Sequence, residues 1–317
     1  MGTMNAIIYG RFGGPEVLEL RQVTKPAAGP GQVLVAVKAA SVIPADWKLR
    51  AGHLQHLFDV SFPKIPGRDG AGIVEAIGGD VEGIAVGDEV AFVTQHTQQG
   101  SHAQYAVIDA ASIVPKPPAL SFIEAAALMH AGVCAWIALE ETAGLTAGQG
   151  AGMRVLIHGG AGAIGGMAVQ LARHRGAFVA ATCSARNADF VRELGADQPI
   201  AYDEVDFAQA LEPVDIVLDL IGGDVHRRSY PVLKRGGTLV YLIAEPIEDR
   251  SAEYGVRTLR APIHDDRPAL EAVVRLADEG AWRPLVSKVM PLAQAAEAQR
   301  LLESGANSRG RIVLTIS

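Results

Sequence analysis

Residues 154–176, RVLIHGGAGAIGGMAVQLARHRG, decide the fold. A short apolar run ends in glycines, and Gly160, Gly162 and Gly165 follow in G-x-G-x-x-G order before apolar residues at helical spacing. Each glycine answers a physical demand. The first permits a tight turn after the strand. The second lets backbone N–H groups, those of Ala163 and Ile164 included, approach a pyrophosphate at the helix N-terminus. The third lets the helix pack closely on the strand. A strand before and a helix after make this a candidate dinucleotide loop and not merely a glycine-rich turn.

Downstream the same texture repeats. FVAATC at 178–183, DIVLDL at 215–220 and TLVYLIA at 238–244 are continuous apolar runs, separated by helical segments such as 187–194 and 224–233. Alternation of this kind predicts a parallel, doubly wound α/β sheet. Upstream, through about residue 115, short β-branched runs at 6–9, 32–39, 71–77, 89–94 and 103–108 are broken by Gly and Pro, which predicts an antiparallel barrel or sandwich. Between the two, residues 121–143 have helical spacing and open on Ser121 with Glu124 three residues later, a capping box. Helices are expected over 267–279 and 292–303, and a last strand in RIVLTIS at 311–317. The chain is thus expected to form one domain from residues 1–124 and 262–317 and a second from 125–261.

Composition narrows the partners. The 28 Lys and Arg against 35 Asp and Glu give a net charge of −7 without any basic block, so neither nucleic acid nor an anionic lipid surface is an expected partner. Two cysteines, Cys134 and Cys183, cannot build a disulfide framework or a four-thiolate zinc site, and a reducing cytoplasmic setting fits them best. The most apolar stretch, 125–139, is interrupted by His130 and reads as too short to span a bilayer.

Which dinucleotide binds is read at the end of the next strand, where a carboxylate would bond the ribose 2′-OH of NAD and repel a 2′-phosphate. The segment Thr182-Cys183-Ser184-Ala185-Arg186-Asn187 has no acid there. Ser184, Arg186 and Asn187 instead offer a hydroxyl, a guanidinium and an amide, which suit a phosphate ester, so NADP(H) is expected over NAD(H). The competing reading makes Ser184 and Asn187 helix caps and Arg186 a solvated charge.

Several stretches together carry a resemblance that runs nearly end to end: FGGPEVLEL at 12–20, SVIPADWKLRAG at 41–52, FPKIPGRDGAGIVEAIG at 62–78, AGVCAWIAL at 131–139, ELGAD at 193–197, LKRGGTLV at 233–240 and RGRIVL at 309–314. With the glycine loop, they resemble zinc-free members of the medium-chain dehydrogenase/reductase superfamily, in the quinone oxidoreductase branch. The resemblance implies a GroES-like, β-barrel-type catalytic domain built from both chain ends, an inserted Rossmann domain, NADPH and a homodimer. Zinc members of the superfamily carry a cysteine near 41–47 and a His-Glu pair in the P-G-x-x-x-G stretch. Here the cysteine is absent and the pair is Arg68-Asp69, so no metal is expected.

The resemblance also implies site residues. An N-P-x-D stretch bordering the nicotinamide maps onto Ile43, Pro44 and Asp46, with Ile43 departing from the usual Asn. Asp46 is a candidate for orienting a site group or delivering a proton, and equally for capping a helix; Trp47 beside it is a candidate substrate wall. Cys134 stands where relatives often have Thr beside the nicotinamide. Tyr202 falls where relatives place a tyrosine near the 2′-phosphate, Ile221 and Ile243 close strands whose ends wall the crevice, and Arg309 sits in a segment that reaches the cofactor in some relatives. His53, His56, His96, His102 and His130 are expected to have no chemical role, the stretch between His96 and His102 being read as exposed. The function so implied is hydride transfer from NADPH to a quinone or an α,β-unsaturated carbonyl. An enoyl thioester reductase on the same fold, and a non-catalytic NADPH-binding redox sensor, remain alternatives at this level.

Overall fold

The computed structural model describes residues 2–242 and 247–317; Ile243, one of the expected cofactor contacts, lies outside them. The chain divides into two compact units: Met1–His130 with Asp265–Asp278 and Pro284–Ser317, and Ala131–His264 with Glu279–Arg283.

The first unit is built from β1 (Thr3–Ile8), β2 (Glu19–Thr24), β3 (Gln32–Val42), β4 (Asp69–Ile77), β5 (Glu89–Val93), β6 (Tyr105–Asp109) and β7 (Ile113–Pro115). Strands β1 and β2 pair as an antiparallel ribbon. Strands β3, β4, β5 and β7 run side by side with β6 on β3, all antiparallel. Their inward residues, among them Val33, Val35, Val74, Phe92 and Ile108, form one apolar core. Helix α1 (Pro44–Arg50) follows β3 directly, with Pro44 at its first position, where a missing N–H costs nothing.

Helix α2 (Phe122–Trp136) begins with the expected reciprocal cap. Ser121 N–H donates to Glu124 Oε2 at 2.9 Å, and Glu124 N–H to Ser121 Oγ at 3.3 Å. It continues as a wider π-turn through Ile137–Thr142. Phe122–Thr142 therefore spans 21 residues and holds an 18-residue window of mean hydropathy 1.7, long and apolar enough in composition to cross a bilayer, which corrects the reading that this stretch is too short. Burial supplies the better argument: 72% of the window lies inside the protein, as in a core helix.

The second unit holds a six-stranded, wholly parallel sheet of β8 (Arg154–Ile157), β9 (Phe178–Cys183), β10 (Gln198–Ala201), β11 (Val214–Asp219), β12 (Leu233–Tyr241) and β13 (Arg257–Arg260), in the order β10-β9-β8-β11-β12-β13. That is the doubly wound order of a Rossmann domain, with the reversal between β8 and β11. Val155, Leu156 and Ile157 are fully buried, which is why β8 reads as a continuous apolar run and not an alternating one. Two last strands, β14 (Val286–Pro291) and β15 (Arg311–Thr315), pair in parallel, and β15 lies antiparallel to β3 in the sheet of the first unit.

Candidate functional site

Strand β8 runs into the glycine loop, and helix α3 (Ala163–His174) leaves it with Gly162 as its N-cap. The loop is held from below by a single residue of β9. Thr182 Oγ1 accepts from Gly159 N–H at 3.1 Å, and Thr182 C=O accepts from Gly160 N–H at 2.9 Å. Gly159 has φ +76°, a backbone region that glycine enters without penalty. A Cβ on Gly160 would stand 2.8 Å from Ala181 Cβ, and one on Gly165 would stand 2.1 Å from Gly159 O, so these two positions are closed by the protein's own packing. A Cβ on Gly162 would meet only Gly159 O, at 3.3 Å, and otherwise open space ahead of the helix. No side chain caps α3, so the N–H groups of its first turn, starting at Ala163 and Ile164, are offered outward at the positive end of the helix dipole. A cradle that only a bare backbone leaves open, under unpaired N–H groups, fits a pyrophosphate.

Beside the loop lies a cavity of about 680 Å³ at the carboxyl ends of β8 to β11. His158, Gly159, Thr182, Tyr202, Phe207 and Ile221 are among its lining residues, so two sequence-predicted contacts, Tyr202 and Ile221, come together with the loop. Both side chains are largely exposed, at 63% and 54%. Ser184, Arg186 and Asn187 follow β9 and are not among the described lining residues. Asn187 is buried and its Nδ2 donates to Ser184 Oγ at 3.1 Å, so two of the three predicted phosphate contacts hold each other. Arg186 is exposed, and among the described residues no ion pair or hydrogen bond engages its guanidinium. Three carboxylates also line the cavity, Asp203, Glu204 and Asp206; Asp203 accepts from Ala185 N–H at 2.8 Å, and Asp206 pairs with Arg228.

Beneath the cavity are two buried polar networks that sequence reading missed. His158 bonds Thr182 Oγ1 through Nδ1 at 3.1 Å and Ser229 Oγ through Nε2 at 3.0 Å, and burial lowers its pKa to about 4 against the opposing pull of Asp219. Asp219 ends β11 and accepts from Ile221 N–H and Gly222 N–H, both at 2.9 Å, and from His226 Nδ1 at 2.8 Å. Burial pushes the Asp219 carboxyl up, but His226 and the two N–H groups outweigh it and hold it below the ordinary range. The partners lie up to 71 residues apart, and no local pattern announces them.

In the first unit, the segment after β3 carries the remaining predictions. Pro44 is exposed, Ile43 buried and Trp47 half-buried. Asp46 is buried, with Oδ2 accepting from Ile43 N–H at 2.8 Å and Oδ1 from Gly67 N–H at 3.1 Å. Burial raises its pKa, offset in part by the nearby His102. The capping reading of Asp46 is thus what its bonds show directly, and the carboxylate ties α1 to the loop before β4. Asp69 is fully buried, accepting from Ser41 Oγ and from His130 N–H at 3.1 Å. Arg68 is buried as well, donating to Thr94 O at 2.6 Å and pairing with Asp265. Lys64 Nζ donates to the carbonyls of His96, at 2.9 Å, and Gln98, and burial lowers its pKa to about 8.

Of the glutamine-rich stretch between His96 and His102, expected to be exposed, Thr97 and Gln99 are exposed and Gln98 half-buried, while Gly100 and Ser101 are buried. His102 is fully buried, with its Nε2 at 2.9 Å from Ser41 O, because its backbone bridges Ile7 and Pro66. Cys134 is buried in α2 and Arg309 lies exposed in the turn before β15. Among the described residues no group of three or more His, Cys, Asp or Glu side chains is placed to hold a metal ion. Arg68, in the P-G-x-x-x-G stretch, spends its guanidinium on Asp265 and Thr94.

Comparison with known proteins agrees with this geometry. Residues 29–118 match the alcohol dehydrogenase GroES-like domain, and residues 194–314 match the zinc-binding dehydrogenase family. The mitochondrial NAD(P)H oxidoreductase RTN4IP1 of Danio rerio is 32% identical, over 99% of this chain and 92% of its own. A 2-methylene-furan-3-one reductase of Solanum lycopersicum is 36% identical over 75% of this chain and 62% of its own. The crystal structure of a quinone oxidoreductase from Coxiella burnetii superposes with a TM-score of 0.89 at 34% identity, covering 100% of both chains.

Proposed function

This chain belongs to the medium-chain dehydrogenase/reductase superfamily, beside the quinone oxidoreductases, and on that premise we propose that it is a zinc-independent NADPH reductase of quinones or α,β-unsaturated carbonyls. The observation that carries the cofactor choice is Arg186, exposed and unengaged among the described residues just past β9, in a segment, Thr182–Asn187, that carries no carboxylate of its own to select a free 2′-OH. NADPH, when bound, supplies the hydride.

The chain's own residues do the rest. Gly160, Gly162, Ala163, Ile164 and Gly165 would hold the pyrophosphate through backbone N–H groups, and Arg186, with Ser184, Asn187 and Tyr202, the 2′-phosphate. Ile221 would wall the ribose. Pro44, Trp47, Cys134 and Arg309 are assigned to the nicotinamide end on the family resemblance, as is Ile243. Asp46, with both oxygens on backbone N–H groups, acts in this reading by orienting the Ile43 turn, not by moving a proton. Zinc independence is supported by Arg68, since a guanidinium cannot ligate a metal. The Solanum relative's name supports an enone acceptor and the Coxiella one a quinone. A homodimer in the cytoplasm, free of nucleic acid and membrane, completes the proposal.

The test is loss of NADPH absorbance with a small quinone and an α,β-unsaturated ketone, with NADH alongside. Turnover that prefers NADPH supports the proposal, and equal use of both cofactors overturns the Arg186 assignment. Arg186→Ala is expected to weaken NADPH by about 1–3 kcal/mol and leave NADH unchanged, the range for a hydrogen bond to a charged group. Saturable NADPH binding with no acceptor turned over would move the reading to a redox sensor.

A further inference from the structure

One buried cluster of the second unit has no part in the reading so far: His158, Thr182 and Ser229. Counting protons orders it. Ser229 Oγ donates to Val225 O at 2.7 Å, and a hydroxyl has a single proton to give. Toward His158 Nε2, 3.0 Å away, Ser229 can therefore only accept, which places the imidazole proton on Nε2. Nδ1 of the neutral ring is then bare and takes the Thr182 hydroxyl proton across 3.1 Å. Thr182 Oγ1 keeps its lone pairs for Gly159 N–H at 3.1 Å. The result is one directed chain, from Gly159 N–H through Thr182, His158 and Ser229 to the Val225 carbonyl, in which every donor has one acceptor.

We infer that His158, Thr182 and Ser229 form a positioning relay that sets the first turn of the dinucleotide loop. The inference rests on the dinucleotide reading proposed above and adds the residues that give the loop its shape. Three observations carry it. The chain ends on Gly159, whose φ of +76° begins the turn. Thr182 also holds Gly160 N–H through its carbonyl, so both leading N–H groups point back into the protein and the outward ones are those of α3. His158 backbone N–H donates to Leu218 O at 2.9 Å, fixing the end of β8 to β11 where the strand order reverses, and Phe207 packs edge-on against the ring at 4.7 Å. Thr182 and His158 act on a ligand through the loop; they are positioning residues.

The experiment compares NADPH binding by the whole protein, followed calorimetrically well below its unfolding midpoint, for wild type, Thr182→Val, Thr182→Ser and Ser229→Ala. Valine keeps the shape and removes the acceptor, so affinity should fall about tenfold, as for one lost hydrogen bond, and serine should restore it to within about twofold. Ser229→Ala, one bond further from the loop, should cost about threefold. Thr182→Val binding like wild type, or Thr182→Ser as weak as valine, overturns the inference. Wild type binding no dinucleotide would overturn the proposed function instead. The relay then stands or falls on Gly159 amide exchange in the free protein: slow in wild type and Thr182→Ser but fast in Thr182→Val supports it, and equal rates in all three overturn it.

Discussion

The glycine loop of the second unit and the Ile43–Arg68 region of the first solve the same problem, holding polar groups in fixed places, by opposite means. The loop works with backbone. Its N–H groups come from consecutive residues, and its demands on sequence are small residues at set spacings. The Ile43–Arg68 region works with side chains brought from afar: Asp46 reaches Gly67, Asp69 meets Ser41 and His130, and Arg68 pairs with Asp265, 197 residues away. The lesson is that a backbone-built site is written locally and a side-chain-built one is not.

Four experiments sharpen that contrast, taken from the largest expected effect. Asp265→Ala leaves the Arg68 guanidinium buried without its counter-charge, and should destabilise the protein by about 3–5 kcal/mol, read from the urea midpoint. A loss below about 1 kcal/mol would mean that the pair is solvated in solution. In the loop, Gly165→Ala forces a Cβ onto Gly159 O and should cost about 3 kcal/mol, because the opposing atom is backbone and cannot swing away. Gly162→Ala only crowds Gly159 O slightly, at 3.3 Å, so its stability should change by under about 1 kcal/mol while dinucleotide affinity drops. Equal stability losses at the two glycines would erase the distinction between a packing glycine and a ligand glycine.

Acid separates the two regions in another way. His158 has a folded pKa of about 4, below the ordinary 6.5, so between these values the unfolded chain binds the extra proton and stability must fall as pH falls. By pH 5 this single group should remove about 2 kcal/mol relative to pH 7.5. His158→Gln should flatten that slope, while an unchanged slope would assign it to His96 and His130, whose pKa values burial also lowers. A modest effect belongs to the reciprocal cap of α2: Ser121→Ala should cost about 1 kcal/mol by thermal melt, the usual worth of an exposed N-cap.

Legibility followed the same division. The βα alternation, the glycine loop and the Ser121–Glu124 cap were all readable, since each depends on residues within a turn or a strand of one another. Tyr202 was assigned from the family resemblance and Ile221 from its strand end, and both line the cavity beside the loop. His158 lay inside the most closely read motif and still went unnoticed, because its meaning comes from Thr182 and Ser229, 24 and 71 residues on. His102 flanks a glutamine-rich stretch that was read as exposed; its backbone bonds to Ile7 and Pro66 bury it. The reading of Ser184, Arg186 and Asn187 as equal partners changed for a local reason, since Asn187 folds back onto Ser184 and leaves Arg186 alone facing outward.

The amino-acid sequence by itself determined the parallel α/β unit, the antiparallel unit before it, the family and the dinucleotide loop, because hydrophobic period and glycine spacing act over a few residues and need no partner. Only the tertiary structure decided which polar side chains are spent and which are free: that Asp46 caps a helix, that Arg68 neutralises Asp265, that Thr182 bonds both Gly159 N–H and the His158 ring. Burying a polar group costs several kcal/mol unless a partner meets it, and that partner is supplied by whichever distant strand the fold lays alongside.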